Sequence, residues 1–280
     1  MHLIMISTAL IIACTLRLIP VNTDGNWQQR WQKSLFLFLF PPLILITTVI
    51  ATLLMGGRGK MLGMQASWFS FWLGFVFILS IVFYWCKLAY QGWLSLQKVQ
   101  TYPQQILQNK LVRFINIDLP YIAQIGFWQP ELVVSKGLLN ILDRQQIEAV
   151  LAHEQAHLIY RDTFCFFWLG WLRSCTFWLN NTESLWEELL LLREIRADLA
   201  AAKKVDPLTL AESLVTVARS SLQPHSYIEV GFSLPANNNR LAQRIEALIN
   251  NAALPTSPNF IYWSWLFLVL IPLATIPFHC

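Results

Sequence analysis

Four long apolar segments constrain what this chain of 280 residues can fold into. They are Leu3–Ile19, Leu35–Met55, Trp68–Cys86 and Phe260–Pro277. The only charged side chain among them is Arg17, close to the end of the first segment. Because a bilayer core about 30 Å thick is crossed by about 20 helical residues, we predict that all four segments span a membrane as helices. Within the second segment, Pro41 and Pro42 predict either a kink or a helix that starts there.

Composition supports a membrane protein and excludes several other classes. Hydrophobic residues make up 55% of the chain and charged residues only 13%. Soluble domains carry about 25% charged residues, so a small soluble domain and a disordered chain are both excluded. Residues 91–259 hold 14 Lys and Arg against 15 Asp and Glu, whereas the rest of the chain holds six against one. The positive excess therefore flanks the apolar segments, and we expect no direct binding of nucleic acid.

The flanking charges also predict an orientation in the membrane. If residues 91–259 are cytoplasmic, five basic residues near the span ends lie inside and two lie outside. The five are Arg17, Arg30, Lys33, Lys87 and Lys98, and the two are Arg58 and Lys60. This difference favours a cytoplasmic domain, with both chain termini on the opposite side of the membrane.

The pentapeptide HEQAH, at residues 153–157, is the strongest chemical signal in the chain. Asp143 is a good N-cap and Gln146 its capping-box partner, so we predict that the pentapeptide lies well inside a helix. Residues four apart share a helix face, so the imidazoles of His153 and His157 can bind one zinc ion. Glu154 is predicted to activate a water molecule as general base. The alternative, a helix that carries two histidines by chance, is disfavoured because the chain has only five histidines.

A catalytic zinc site needs a third protein ligand. Glu194 and Asp198 are four residues apart in a leucine-rich stretch, residues 185–203, that is predicted to be helical. We predict that Glu194 binds the metal and that Asp198 accepts the second N–H of a ligand histidine. Glu187 and Glu188 are the competing carboxylates, and a solvated face of Glu–Arg pairs is the alternative.

Asp162 and the apolar stretch behind it complete the predicted site region. Asp162, five residues after His157, is expected either to fix the end of the zinc-binding helix or to be a surface turn residue. The stretch Thr163–Leu179 is apolar but contains Arg173 near its middle. A full crossing there would place the two halves of the metal site on opposite sides of the bilayer. We therefore expect an interfacial or re-entrant helix.

Together, these residues resemble a known family. The segment PELVVSKGLLNILDRQQIEAVLAHEQAHLIYRD, at residues 130–162, and the later Glu194-x-x-Ala197-Asp198 are similar to integral-membrane gluzincin zinc peptidases. The chain resembles above all the beta-lactam-sensing signal-transducer peptidases, and more distantly HtpX and the type 1 CAAX prenyl proteases. Because the sequence ends soon after the fourth apolar segment, we expect no sensor domain of the kind that binds beta-lactams.

The resemblance implies a set of site residues. His153, His157 and Glu194 would bind one zinc ion per chain, and Glu154 would be the catalytic base. The strand formed by Leu132, Val133 and Val134 would be an edge strand that pairs with an extended substrate, as main-chain recognition requires. An internal core strand is the alternative for these three residues.

The stabiliser of the oxyanion stays open. Relatives of the HtpX and prenyl-protease type have a His-Pro pair before a later Arg-Ile element, and this chain keeps Arg-Ile but lacks that histidine. The candidates are Arg240, Arg244, His225 and Tyr227.

These expectations combine into one prediction for the whole chain. The fold is a mainly α membrane protein with about four transmembrane helices and an α+β gluzincin-like zinc peptidase domain with a small sheet. Three spans lie in residues 1–90, the peptidase domain in 91–259 and the fourth span in 260–280. The protein is expected in the inner membrane of a bacterium, with the peptidase domain on the cytoplasmic side.

The predicted activity is hydrolysis of peptide bonds by a zinc-activated water. Its role would be regulated proteolysis, with a cytoplasmic repressor or the chain itself as substrate, or quality control of membrane proteins. The alternative is a catalytically silent membrane receptor or scaffold that retains a metal site.

Overall fold

Helices dominate the structure, a computed structural model that describes residues 2–21, 26–58, 60–61, 64–65, 68–221, 238–250 and 260–278. The helices are α1 (His2–Arg17), α2 (Trp27–Met55), α3 (Trp68–Gln100), α4 (Lys136–Ile141), α5 (Arg144–Ile159), α6 (Asp162–Cys175), α7 (Thr182–Ala201), α8 (Pro207–Ser221), α9 (Asn238–Ile249), α10 (Trp265–Val269) and α11 (Ile271–Ala274). Short 3₁₀ turns, Phe260–Trp263 and Ile276–Phe278, flank the last two helices. The strands are β1 (Lys60–Met61), β2 (Met64–Gln65), β3 (Gln104–Leu107), β4 (Lys110–Ile115), β5 (Ile122–Ile125) and β6 (Glu131–Ser135). A mainly helical chain with a small mixed sheet agrees with the predicted fold class.

The chain divides into two compact units. The first contains the described parts of residues 1–89, 168–190 and 255–280, and the second contains those of 90–167 and 191–254. Residues 168–190 therefore group with the predicted membrane helices, whereas the sequence had placed them in the domain of residues 91–259.

Helices α2 and α3 are long and apolar enough to cross a membrane. They have 29 and 33 residues, which correspond to lengths of about 44 and 50 Å. Helix α2 begins at Trp27 and continues through Pro41 and Pro42, so the prediction of a helix that starts at these prolines is wrong. Most apolar side chains of α3, such as Trp72 and Phe83, are exposed. The two helices support an association with a membrane.

Four spanning helices are not confirmed. Helix α1 has 16 residues and reaches about 24 Å, less than the bilayer core. The segment Phe260–Pro277 does not form the predicted single helix. It is divided into two 3₁₀ turns and two short helices, and the N–H groups of Leu270 and Leu273 bond three residues back instead of four. The carbonyl of Val269, which a regular helix would bond to Leu273, accepts a hydrogen bond from Thr47 Oγ1 at 2.7 Å.

The second unit contains a four-stranded sheet with the order β3-β4-β6-β5. Strand β6 pairs in parallel with β4 and antiparallel with β5. The predicted strand is therefore present at residues 131–135, but the prediction that Leu132, Val133 and Val134 form an edge strand is wrong. All three side chains are buried, and an uninterrupted apolar run of this kind is typical of a strand covered on both faces. The edges of the sheet are β3 and β5.

Helix α5 packs against one face of this sheet. Its N-terminus carries the predicted capping box, in which the Asp143 side chain accepts from the Gln146 N–H and the Gln146 side chain accepts from the Asp143 N–H. Val150 and Leu151 of α5 share an apolar core with Val134 of β6. Because this core fixes the rotation of α5 about its axis, the residues of the pentapeptide have a defined direction in the second unit.

Candidate metallopeptidase site

The two histidines of α5 lie together, as the i, i+4 spacing predicts. Their ring centroids are 4.7 Å apart, and His153 Nε2 is 3.1 Å from His157 Nε2. Both rings are largely buried. Two ring nitrogens at this distance repel each other if both present lone pairs, so a proton or a metal cation between them is required.

The third predicted ligand comes from α7. Glu194 Oε2 is 3.4 Å from His153 Nε2, and Glu194 Oε1 is 3.6 Å from His157 Nε2. One ligand atom from each of these three residues lies within 4.8 Å of the others, which makes the group a candidate metal site. Ligand atoms bound tetrahedrally to zinc at 2.0–2.1 Å stand about 3.3 Å apart. The observed separations of 3.1, 3.4 and 3.6 Å fit this geometry.

Each histidine also has a carboxylate at its other ring nitrogen. His157 Nδ1 donates to Asp162 Oδ2 at 2.7 Å. His153 Nδ1 lies 2.8 Å from Asp198 Oδ1, although the direction of this contact departs from that of an ideal hydrogen bond. Carboxylates in these places hold the proton on Nδ1 and leave Nε2 free to bind a metal. The structure therefore places Asp198 and Asp162 beside the two histidines.

Three arginines hold the carboxylates of the site, and two of them were missed by the sequence analysis. Arg193 donates to Glu194 Oε1 through two nitrogens at 3.0 and 2.7 Å. Arg196 binds the second oxygen of Asp162. Both guanidinium groups also stack on aromatic rings of the same unit, Phe166 and Tyr160 respectively. The alternation of Arg and acid in residues 193–198 was visible in the sequence, but it suggested a solvated surface as readily as a buried network.

Arg244 of α9 is the third of these arginines. It makes two bonds to Asp198, at 2.7 and 2.9 Å, and its Nη1 is 3.5 Å from Glu194 Oε2. Since its nitrogens are directed at these carboxylates, Arg244 is a positioning residue that holds Glu194 and Asp198 in place. Of the other oxyanion candidates, Arg240 lies one turn earlier on α9. His225 and Tyr227 lie outside the described residues.

The pKa values of these groups follow from burial and from the network of charges. Burial alone would lower the pKa of His153, but Asp198 and Glu194 outweigh it and raise this pKa to about 10. Burial would also lower the pKa of His157, but Glu194 and Asp162 outweigh it and raise this pKa. Burial alone would raise the pKa values of Glu194 and Asp198, but the arginines and histidines lower both. Both carboxylates are therefore ionised, and their negative charge can be balanced by the protonated imidazoles or by a metal cation.

Glu154 lies on α5 beside this group and is buried. Its charge acts on a tyrosine that the sequence did not single out. Burial, and then the Glu154 carboxylate, raise the pKa of Tyr121 to about 12, so the phenol is neutral and can donate a hydrogen bond. The backbone of Tyr121 is fixed by Ser135, whose Oγ accepts from the Tyr121 N–H at 2.8 Å and whose N–H donates to the Tyr121 carbonyl at 2.9 Å. Tyr121 directly precedes the edge strand β5.

The competing carboxylates belong to the other unit. Glu188 forms a buried pair with Arg30 of α2, with distances of 2.8 and 3.0 Å. Glu187 lies next to it on α7, in the part of the helix that groups with the first unit. The described structure therefore assigns the third position of the metal group to Glu194 alone of these three residues.

The site defines a class of protein: two histidines one helical turn apart form a group with a glutamate from a second helix, and another glutamate, Glu154, follows the first histidine. This arrangement is typical of metallopeptidases. The sequence model of peptidase family M48 matches residues 123–222, from β5 to just beyond α8, and supports a metallopeptidase function. The match includes the metal group, Glu154, Asp162 and Asp198, but neither α9 nor the two candidate spans. No curated protein and no solved structure matches the chain.

Proposed function

We propose that this chain is a membrane-embedded, zinc-dependent endopeptidase. The observation that carries the proposal is the convergence of His153 Nε2, His157 Nε2 and the Glu194 carboxylate at separations that suit one zinc ion. The family match supports the hydrolase class, and the length and apolar surface of α2 and α3 support the membrane location.

When bound, zinc would lower the pKa of a coordinated water toward about 7 and polarise the scissile carbonyl. Glu154 takes a proton from the attacking water and passes it to the leaving amine. Asp162 and Asp198 keep the ring orientation of the two histidines through Nδ1. For the oxyanion, Tyr121 joins Arg240, His225 and Tyr227 as a candidate donor, because its phenol is neutral and within the electrostatic influence of Glu154.

The substrate backbone is expected to pair with β5. One side of this strand is bonded to β6, it has no strand neighbour on the other side within the described residues, and α5 packs next to it. A strand edge beside the zinc helix holds a peptide extended across the metal with little preference for its side chains. Strand β5 therefore takes the role that the sequence had assigned to residues 132–134.

The biological setting follows from the resemblance and the charge pattern. We propose an inner-membrane protein of a bacterium with its peptidase unit in the cytoplasm. Its substrates would be a protein or peptide, such as a cytoplasmic repressor or the chain itself. Removal of damaged membrane proteins is the second setting that the resemblance suggests.

The full chain in lipid vesicles, with a mixture of internally quenched peptides as substrate, provides the test. Glu154→Gln should keep zinc bound and reduce cleavage by about 10²–10⁴-fold, since that is the usual contribution of a general base. The matched control is Glu148→Gln, which changes an exposed glutamate of the same helix and should cleave like the parent.

Two outcomes would contradict the proposal. Cleavage by the Glu154→Gln variant at the parental rate would show that another group is the base. A parent that binds zinc but cleaves neither the peptides nor its own chain would favour the silent receptor or scaffold.

A further inference from the structure

Four aromatic side chains form a preassembled cluster on the second unit. Phe127 and Trp128 lie in the turn between β5 and β6, and Phe164 and Phe167 lie near the start of α6. The ring centroid of Phe127 is 4.9 Å from those of Phe164 and Phe167, and the ring centroid of Trp128 is 5.3 Å from that of Phe164. We refer to these four residues as the aromatic cluster.

The turn that carries the cluster is tightly built. Gly126 has a φ of +142°, and a Cβ atom at this position would lie 2.7 Å from Pro130 Cα, so only glycine fits. Phe127 packs against α6 from this turn, whereas the Trp128 side chain is 74% exposed. The indole is therefore held outward by a defined backbone and by ring contacts.

Two apolar cores described in the second unit do not include these four rings. Those cores are formed by side chains of the sheet with α4, α5 and α8, and by side chains of α5, α7, α8 and α9. Trp128 also stands at the tip of a hairpin, which is a convex position, whereas a pocket for a substrate side chain would be concave. The exposed indole is thus suited to contact a surface that accepts a protruding aromatic side chain.

The lipid bilayer is the occupant that fits best. The hairpin from Ile122 to Pro130 contains no charged residue, and α6 contains none between Asp162 and Arg173. Helix α6 also continues from Phe167 into the residues that group with α2 and α3, the candidate spans. Tryptophan prefers the headgroup region of a membrane, where its ring is apolar and its N–H stays hydrated.

We propose that the aromatic cluster inserts into the headgroup region of the bilayer in which this chain resides. The inference rests on the proposed membrane location and deepens the proposed function. With Trp128 in the membrane surface, the edge of β5 lies close to that surface. The preferred substrates are then extended segments that lie next to a membrane span of the substrate protein, and freely diffusing peptides are cleaved more slowly.

Photocrosslinking of the full chain in vesicles of phosphatidylcholine and phosphatidylglycerol tests the insertion. Benzoylphenylalanine is placed at Trp128 in one variant and at Ile106 in the control. Ile106 is an apolar residue of β3 that is 77% exposed in the same unit. We expect lipid adducts at position 128 in at least tenfold excess over position 106. Equal yields at both positions, or a protein adduct in place of the lipid at position 128, would overturn the proposal.

A second variant covers the case in which the photoreactive protein misfolds. Trp128→Ser should leave zinc content and cleavage of a soluble peptide within twofold of the parent. The same peptide tethered to the vesicle by a lipid anchor should be cleaved about tenfold more slowly. An unchanged rate on the tethered peptide, or an equal loss on both peptides, would overturn the insertion. If the insertion is overturned in this way but the parent contains zinc and cleaves the soluble peptide, the proposed peptidase function stands.

Discussion

Replacing Arg244 by methionine should weaken zinc binding without removing any metal ligand. Arg244 makes two hydrogen bonds to Asp198, which in turn contacts the Nδ1 of His153. The Asp198 side chain is fully buried, and 17% of the Arg244 side chain is exposed. Methionine preserves most of the volume of the side chain and removes only its charge and its donors.

The magnitude follows from the burial of this pair. Removal of one partner from a buried ion pair costs about 3–5 kcal/mol, because the remaining charge is left without compensation. Asp198 keeps its contact with His153, so we expect the lower end, about 3 kcal/mol of folding free energy of the metal-free protein. Loss of support for a ligand histidine typically lowers metal affinity by about 10–100-fold, and we expect a decrease in this range.

Competition for zinc with a chelator of known affinity measures the effect on the full chain in detergent. Arg219→Met is the control, since it changes an exposed arginine of α8 in the same unit and should leave the affinity unchanged. Arg244→Met should lower the free energy of zinc binding by at least about 1 kcal/mol less in an Asp198→Asn background than in the parent, because the two residues act as a pair. A zinc affinity of Arg244→Met within twofold of the parent would refute the supporting role of Arg244.

Three further perturbations address other parts of the site. Because the pKa of His153 is raised to about 10 in the metal-free protein, zinc must displace a proton at neutral pH. Because the pKa of His157 is raised as well, the zinc affinity should rise at least about tenfold per pH unit between pH 7 and 9. Calorimetry in two buffers of different ionisation enthalpy should detect at least one proton released per zinc ion bound, and the release of no proton would contradict the prediction. Asp162→Asn should lower zinc affinity by about 10–100-fold through His157, whereas Asp143→Asn, at the exposed N-cap of the same helix, should not. If β5 pairs with the substrate backbone, N-methylation of a substrate amide that bonds to the strand should remove one hydrogen bond. Cleavage should then be about threefold to tenfold slower. An unchanged cleavage rate at every methylated position would exclude this pairing.

Helix α5, with its two histidines, was predictable from the sequence because its signals are local. The capping box, the apolar positions of α5 and the i, i+4 spacing of the histidines each depend on fewer than 20 consecutive residues, and the structure has them as expected. Glu194 and Asp198 were also predicted, because a zinc site with two histidines needs a third ligand and because a ligand histidine needs an acceptor for its second N–H.

Features that depend on distant residues were not predictable in this way. The edge position of a strand depends on which strands pair, and neither the parallel pairing of β6 with β4 nor the placement of β5 has a local signal. The roles of Arg193 and Arg196 were missed because a charged residue on a helix is usually solvated, and burial by neighbouring elements cannot be inferred from an Arg–Glu pattern. The break in Phe260–Pro277 was missed because length and apolarity do not indicate where N–H groups bond three residues back instead of four, as those of Leu270 and Leu273 do.

The metal content of the purified full chain tests the central claim most directly. It is measured by elemental analysis of the parent beside a His153→Ala, Glu194→Ala double variant, after both have been equilibrated with zinc at neutral pH and freed of excess metal. We predict about one zinc ion per chain in the parent and a loss of that zinc in the double variant. A parent without zinc, or a double variant that retains the full amount, would contradict the assignment of these residues to a metal centre.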